Sequence, residues 1–170
     1  KISLFCDLPL EAIIPLPTAK SVYQVPLAIE DSGIADYICR RLGITTKKAQ
    51  LGDWKSLNAA ISDFSRQKLK IGIVAKYMDH EDTYMSVTEA IKSAVWSAGY
   101  RPELSWVDAE GIEADGPDGY LKELDGIVVP GGFGARGVEG KITAAAWAKE
   151  HKTPYLGLCL GLQVAVIAVA

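Results

Sequence analysis

Hydrophobic and polar positions fall into a regular strand-and-helix alternation from residue 69 onward, and into no such order before it. Leu69 to Ala75 is a short, mostly apolar run that predicts a buried strand. After a polar loop, Lys76 to Thr83, apolar residues return at helical spacing. Val87, Ile91, Ala94, Val95 and Ala98 predict the buried face of a helix from about Tyr84 to Ala98, stopped by Gly99. A strand is expected at Leu104 to Val107, then a Gly/Asp/Glu-rich loop, a short helix around Tyr120 and Leu121, and a strand from Gly126 to Val129. The glycine-rich loop Pro130 to Gly140 opens a helix over about Lys141 to Lys149, and a last strand, 154–158, runs into Cys159 and a helix-like apolar tail.

The first 68 residues follow other rules. Ile2 to Cys6 reads as a short strand, and the stretch to Lys20 carries Pro9, Pro15 and Pro17, too many for a regular helix or a central strand. Pro26 to Leu42 predicts one or two short helices broken near Ser32 and Gly33, with Gly43 as the stop. Trp54, Leu57, Ile61 and Phe64 are spaced to share one helix face, with Asp53 as N-cap. Both ends read as cut, inside a strand and inside a helix, so the chain is expected to be a piece of a longer protein.

The fold expected is therefore α/β: a largely parallel sheet flanked by helices over 69–170, a linker over 46–68, and a fragment of a second α/β domain over 1–45. Parallel sheets place their working site at the carboxyl ends of the strands, where the loops after Ala75, Val129 and Leu158 would meet.

Composition narrows the function classes. Of 170 residues 49% are hydrophobic and 23% charged, with a net charge of −3 and no basic run, so nucleic acid is not an expected partner. The apolar tail after Pro154 is shorter than the roughly 20 residues a membrane helix needs, and Gln163 interrupts it, so no membrane span is expected. Cys6, Cys39 and Cys159 are far apart and lack metal-ligand spacing. Neither a disulfide framework nor a metal site is predicted, and a reducing cytoplasm fits. Cys6 and Cys39 are expected to be small apolar core residues.

Cys159 is different. Gly157 and Gly161 stand two places to either side, between a strand and a helix, which is the layout of a nucleophile elbow: a reactive side chain on a strained turn, with small neighbours so that strand and helix can approach. The helix that follows points its N-terminal amides at the sulfur and favours thiolate. The second constellation is Gly131-Gly132-Phe133-Gly134-Ala135-Arg136-Gly137. Gly132, Gly134 and Gly137 match the dinucleotide fingerprint formally, but the acidic residue expected at a strand end about 20 residues on is missing. Backbone amides freed of side chains serve equally as an oxyanion hole. A thiol nucleophile needs a base, and two histidines are present: His151 at the amino edge of the sheet, and His80 in an acidic loop at the carboxyl edge.

These motifs together resemble the class I (triad) glutamine amidotransferase domain of the CTP synthase family. The resemblance rests on Gly157 to Gln163, on Pro130 to Gly140, on Lys76-Tyr77 with Asp82 to Ala90, and, for the end of the synthetase (amidoligase) domain, on Lys1 to Cys6, Ser21 to Tyr23 and Pro26-Leu27. It implies a cytoplasmic, tetrameric ligase making CTP from UTP, ATP and glutamine, with magnesium and with GTP as activator, and no cofactor held tightly by this stretch. It implies Cys159 as nucleophile and the amides of Gly132 and Leu160 as oxyanion hole. Gly132, Phe133, Leu160, Gly161, Leu162 and Gln163 would line the glutamine pocket, Lys1 and Ala19 would reach nucleotide, and the histidine and glutamate of the triad would follow Ala170. Where Thr18 stands the family commonly has an acidic residue. Three other readings are weighed: another elbow-cysteine hydrolase, a dinucleotide-binding module, and a regulatory or assembly fragment with no turnover of its own.

Overall fold

The computed structural model describes residues 1–76 and 81–170, and its internal contacts divide the chain into two units, Lys1–Phe64 and Ser65–Ala170.

In the first unit the described secondary structure is helical. Residues Ile2–Cys6 form α1, not the strand expected there, closed by Asp7 in the left-handed region at φ 49°. A local hydrogen-bonded turn satisfies this backbone without a pairing strand. Val25–Asp31 (α2) and Ile34–Leu42 (α3) are separated where Gly33 takes φ 75°, and Gly43 at φ 64° ends α3. The N-cap of Gly52–Ser62 (α4) is Leu51, two residues before the expected Asp53, which sits in the first turn, where its charge favours the helix dipole. The Trp54 ring lies 6.4 Å from that of Tyr23, and Asn58 Nδ2 donates to Tyr23 O at 2.7 Å. Phe64 lies beyond the helix end and is exposed, so it leaves the predicted apolar face. No residue of this unit is buried. Cys6 is exposed and Cys39 half-buried, which corrects their expected core placement.

The second unit is a four-stranded parallel sheet. Its strands are β1 (Lys68–Ala75), β2 (Arg101–Asp108), β3 (Gly126–Val129) and β4 (Tyr155–Gly157), in the order β2-β1-β3-β4. Strand β1 pairs with β2 from Lys68↔Arg101 to Ala75↔Asp108, and β3 pairs with β4 up to Val129↔Gly157. Pro102 is tolerated because β2 lies at one end of this order, where one strand face needs no ladder bonds. Helix crossovers connect the strands: α5 (Met85–Ser97), α6 (Ala109–Asp115) with α7 (Asp118–Leu121), and α8 (Val138–His151), while α9 (Leu160–Val169) follows β4. Helix α6 occupies what reads in the sequence as loop. Asp108 caps it, accepting from Glu110 N at 3.1 Å, and turns a polar stretch into a helix start.

The period-2 alternation of β1 divides the core. Val74 joins Val107, Ile112, Ile127, Val129 and Val164 on the face covered by α6 to α9. Ile73 and Ala75 face α5, with Tyr84, Val87 and Ile91. That second face is less fully covered. Ala94 and Ala98 are exposed rather than buried, Val95 is the buried residue of α5, and Val87, Ile91, Val95, Val128, Leu156 and Leu158 line an apolar cavity of about 340 Å³. Among the described residues no helix is long and apolar enough to cross a membrane.

Candidate functional site

The sheet order changes direction between β1 and β3, because β2 lies to one side of β1 while β3 and β4 lie to the other. Ligands of open parallel sheets bind at such a switch point, outside the carboxyl ends of the strands. Here that place is occupied by Lys76 and by the residues that follow Val129 and Gly157.

After Gly157 the chain makes one more ladder bond, Leu158 N to Val129 O at 2.9 Å, and then turns. Cys159 takes φ 54°, ψ −109°, a region that a residue with a Cβ seldom visits, and it is exposed. The helix α9 starts at the next residue. The two glycines permit this. A Cβ on Gly157 would overlap the backbone of Gly161 and Leu162, and a Cβ on Gly161 would overlap the Val129 carbonyl. Strand and helix thus touch backbone to backbone on both sides of the cysteine. Tyr155 fastens the turn from the core side, its hydroxyl donating to Gly161 O at 2.7 Å, and burial pushes its phenol up to about 12.

The glycine loop lies against the cysteine. A Cβ on Gly131 would stand 3.3 Å from Cys159 Cβ and 3.7 Å from Sγ. Gly132, the next residue, faces the other way, toward two lysines: a Cβ there would lie 3.2 Å from Lys76 Cε and 3.8 Å from Lys141 Nζ. Both lysines are buried, Lys76 at the end of β1 and Lys141 in the first turn of α8. Lys76 Nζ donates to the carbonyls of Phe133 and of Gly134, the latter at 3.1 Å, and Lys141 Nζ donates to Pro130 O at 3.0 Å. Burial, with the like charge of Lys76 second, pushes the Lys141 ammonium down to about 8. Arg136 closes the loop from outside, donating to Lys76 O at 2.9 Å and pairing with Glu110 at 2.9 Å.

Of the residues singled out from the sequence, Cys159, Gly132, Phe133, Leu160, Gly161, Leu162 and Gln163 lie on these two adjoining segments. Phe133 and Leu162 are largely exposed, at 88% and 61%, and Gly161 is buried beneath the turn. Lys1 and Ala19 belong to the first unit, Lys1 exposed before α1 and Ala19 half-buried. His151 ends α8 at the amino edge of the sheet, stacked on Trp147 with ring centroids 4.1 Å apart, away from Cys159. His80 lies outside the described residues. Lys76 is among the residues that carry the resemblance, but the sequence assigns no role to it or to Lys141. The signal was present for Lys141, which shares helical spacing with Val138, Ala145 and Ala148, so that a lysine falls on the buried stripe.

A strained cysteine between parallel strand and helix, with a glycine-rich loop packed beside it, marks an α/β protein of the nucleophile-elbow type. More narrowly, the chain belongs to the glutamine amidotransferase class-I family, whose profile matches residues 80–170. The CTP synthase of Roseiflexus castenholzii is 47% identical over all 170 residues, and that of Herpetosiphon aurantiacus 46%. The chain spans 30% and 32% of the length of these two relatives. Among solved structures, the glutaminase domain of Trypanosoma brucei CTPS with bound acivicin is similar, with a TM-score of 0.54 and 41% identity, over 59% of this chain and 40% of that one.

Proposed function

We propose that residues 65–170 carry the nucleophile half of a glutaminase site, and that the protein to which they belong is a CTP synthase. The observation that carries this is the forced backbone of Cys159 with Gly131 packed against it, in a chain whose relatives over its full length are CTP synthases.

The chemistry follows from the placement. Cys159 Sγ attacks the carboxamide carbon of glutamine, and the carbonyl oxygen becomes an oxyanion held by the amides of Gly132 and Leu160. The C–N bond then breaks, ammonia leaves with a proton delivered by the base, and water hydrolyses the thioester to glutamate. Phe133, Gly161, Leu162 and Gln163 line the pocket for the rest of the substrate. The base is a residue other than His151, which sits at the opposite edge of the sheet, and on the family pattern it is a histidine paired with a glutamate beyond Ala170. Ammonia is protonated in bulk water and loses its nucleophilicity, so it must travel in shelter to the site where UTP is aminated at the expense of ATP.

The finer parts of the proposal concern the whole protein: ATP and UTP binding, reached in this stretch by Lys1 and Ala19, activation by GTP, a homotetramer, and a cytoplasmic setting. Magnesium would accompany ATP in the amination step of the whole protein. The test is glutamine hydrolysis by the full-length protein. Cys159→Ala is expected to lower kcat on the order of 10⁴-fold or more, as loss of a covalent nucleophile does. Hydrolysis that survives the substitution would remove Cys159 from the mechanism and leave the elbow without its function.

A further inference from the structure

One of the two oxyanion donors proposed above, the Gly132 amide, lies on a loop rich in glycine, and glycine is the residue least able to hold its own conformation. Four of the seven residues from Gly131 to Gly137 are glycines. An oxyanion hole works only if its donors are already aimed before charge develops. Something outside the loop must therefore fix it.

Lys76 is placed to do so. Its Nζ takes the carbonyls of Phe133 and Gly134, and its own carbonyl is taken in turn by Arg136, so the end of β1 and the loop grip each other reciprocally. Within one planar peptide group C=O and N–H point in opposite directions. Drawing the Phe133 carbonyl down to Lys76 turns the amide of Gly134 away from it, which anchors the loop two peptides beyond the Gly132 amide. The aliphatic stem closes the space as well: a Cβ on Gly132 would lie 3.2 Å from Lys76 Cε on one side of the loop, and one on Gly131 would lie 3.3 Å from Cys159 Cβ on the other. The loop is thus held between the cysteine and this lysine. The lysine is buried, and a cation in that position is satisfied by the carbonyls it receives.

We propose that Lys76 is a positioning residue for the glutaminase step: by holding the Phe133 and Gly134 carbonyls and supporting Gly132, it keeps the loop's amides aimed at the oxygen of the amide under attack by Cys159. This rests on the glutaminase reading of the site. In this role Lys76 acts through the loop rather than on the reacting atoms. Its loss is felt where negative charge develops and little where charge does not.

The test compares the full-length protein with its Lys76→Met variant, in which the stem is kept and the donor removed. Two readouts separate positioning from folding. The first is steady-state glutamine hydrolysis. The second is the rate at which iodoacetamide alkylates Cys159, followed by peptide mass mapping so that Cys6 and Cys39 are counted apart. Alkylation displaces iodide and forms no oxyanion, so it reports the thiol and its access alone. Removing an oxyanion donor outright costs about 10² to 10³ in kcat, and a loosened loop should cost about 10- to 100-fold. The expected result is that loss in kcat, with KM and the alkylation rate each within about 3-fold of the parent. Unchanged kcat would overturn the inference, as would a loss confined to KM, which would put Lys76 in substrate binding. A parallel fall in kcat, alkylation and unfolding temperature would make it a purely structural lysine. If the parent protein hydrolyses no glutamine, or does so without Cys159, the glutaminase reading itself fails and this inference with it.

Discussion

At Cys159 the backbone is held at φ 54°, ψ −109° by contacts that other residues supply. Conformations of this kind cost on the order of 1–3 kcal/mol and persist only where the surroundings over-determine them. The over-determination is visible in Gly157, Gly161 and the Tyr155 hydroxyl, which leave the chain no other route from β4 into α9. Lys141 is the second residue whose environment works against it. Burial and the neighbouring Lys76 charge bring its pKa from the ordinary 10.5 down to about 8. The sign of the consequence is definite. Below about pH 8 the lysine is protonated in both folded and unfolded chains, and the folded state bears the full cost of the buried charge. Between about 8 and 10.5 the unfolded chain binds more protons, so stability rises with pH. The Tyr155 phenol, raised to about 12, runs the other way once pH passes 10, where the unfolded chain begins to lose that proton. We therefore expect Lys141→Met to melt above the parent at pH 7, and the gap to narrow between pH 8 and 10, measured by thermal unfolding. A gap independent of pH would mean that Lys141 is not titrating.

At the scale of elements, the site is a meeting of β1, β3 and β4 ends with the starts of α8 and α9. Parallel pairing sets those strand ends level, from Ala75↔Asp108 on one side of β1 to Val129↔Gly157 on the other. Close packing of α9 then decides how near the cysteine comes to the loop. A methyl group on Gly161 would meet the Val129 carbonyl and push the helix off the sheet. Overpacking of this kind costs roughly 1–3 kcal/mol. For Gly161→Ala the expectation is a destabilisation of that size in denaturant unfolding, with a fall in glutamine turnover larger than the stability loss accounts for, because the elbow and the loop separate. Wild-type turnover in a Gly161→Ala protein would show that the helix can slide without disturbing the site. Helix α8 meets α6 with the same economy of space, since a Cβ on Gly140 would overlap the Ala109 carbonyl and Gly140 N donates to Glu113 Oε1 at 3.1 Å.

For the whole molecule, the two units differ in kind. Residues Ser65–Ala170 hold the buried core of the described chain, whereas Lys1–Phe64 hold no buried residue. The reacting thiol and the amide loop belong to the former, while the histidine described there lies at the far edge of the sheet. On the family pattern, which puts the base after Ala170, the 170-residue chain alone is expected to hydrolyse glutamine about 10³-fold or more slowly than the full-length protein, as a nucleophile without its base does. The check is a side-by-side assay, with iodoacetamide labelling of Cys159 as a control that the elbow has formed in both. Comparable turnover by the short chain would place the base within these 170 residues.

Much of this was written along the chain. The alternation of apolar strands and amphipathic helices after residue 69, the breaks at Gly33 and Gly43, and the glycines flanking Cys159 are local signals, since each depends on neighbours a few residues away. The amino acid sequence thereby determined the α/β class, the elbow and the adjoining glycine loop. What it left open depended on partners distant in the chain. Ile2–Cys6 became a helix in the absence of a paired strand, a polar stretch became α6 once Asp108 capped it, and Ala94 and Ala98 stayed exposed on a thinly covered sheet face. Only the tertiary structure placed Lys76 and Lys141 beneath the loop, because a lysine is an ordinary surface residue until a fold closes over it and supplies carbonyls, from 57 residues away for Lys76 and 11 for Lys141.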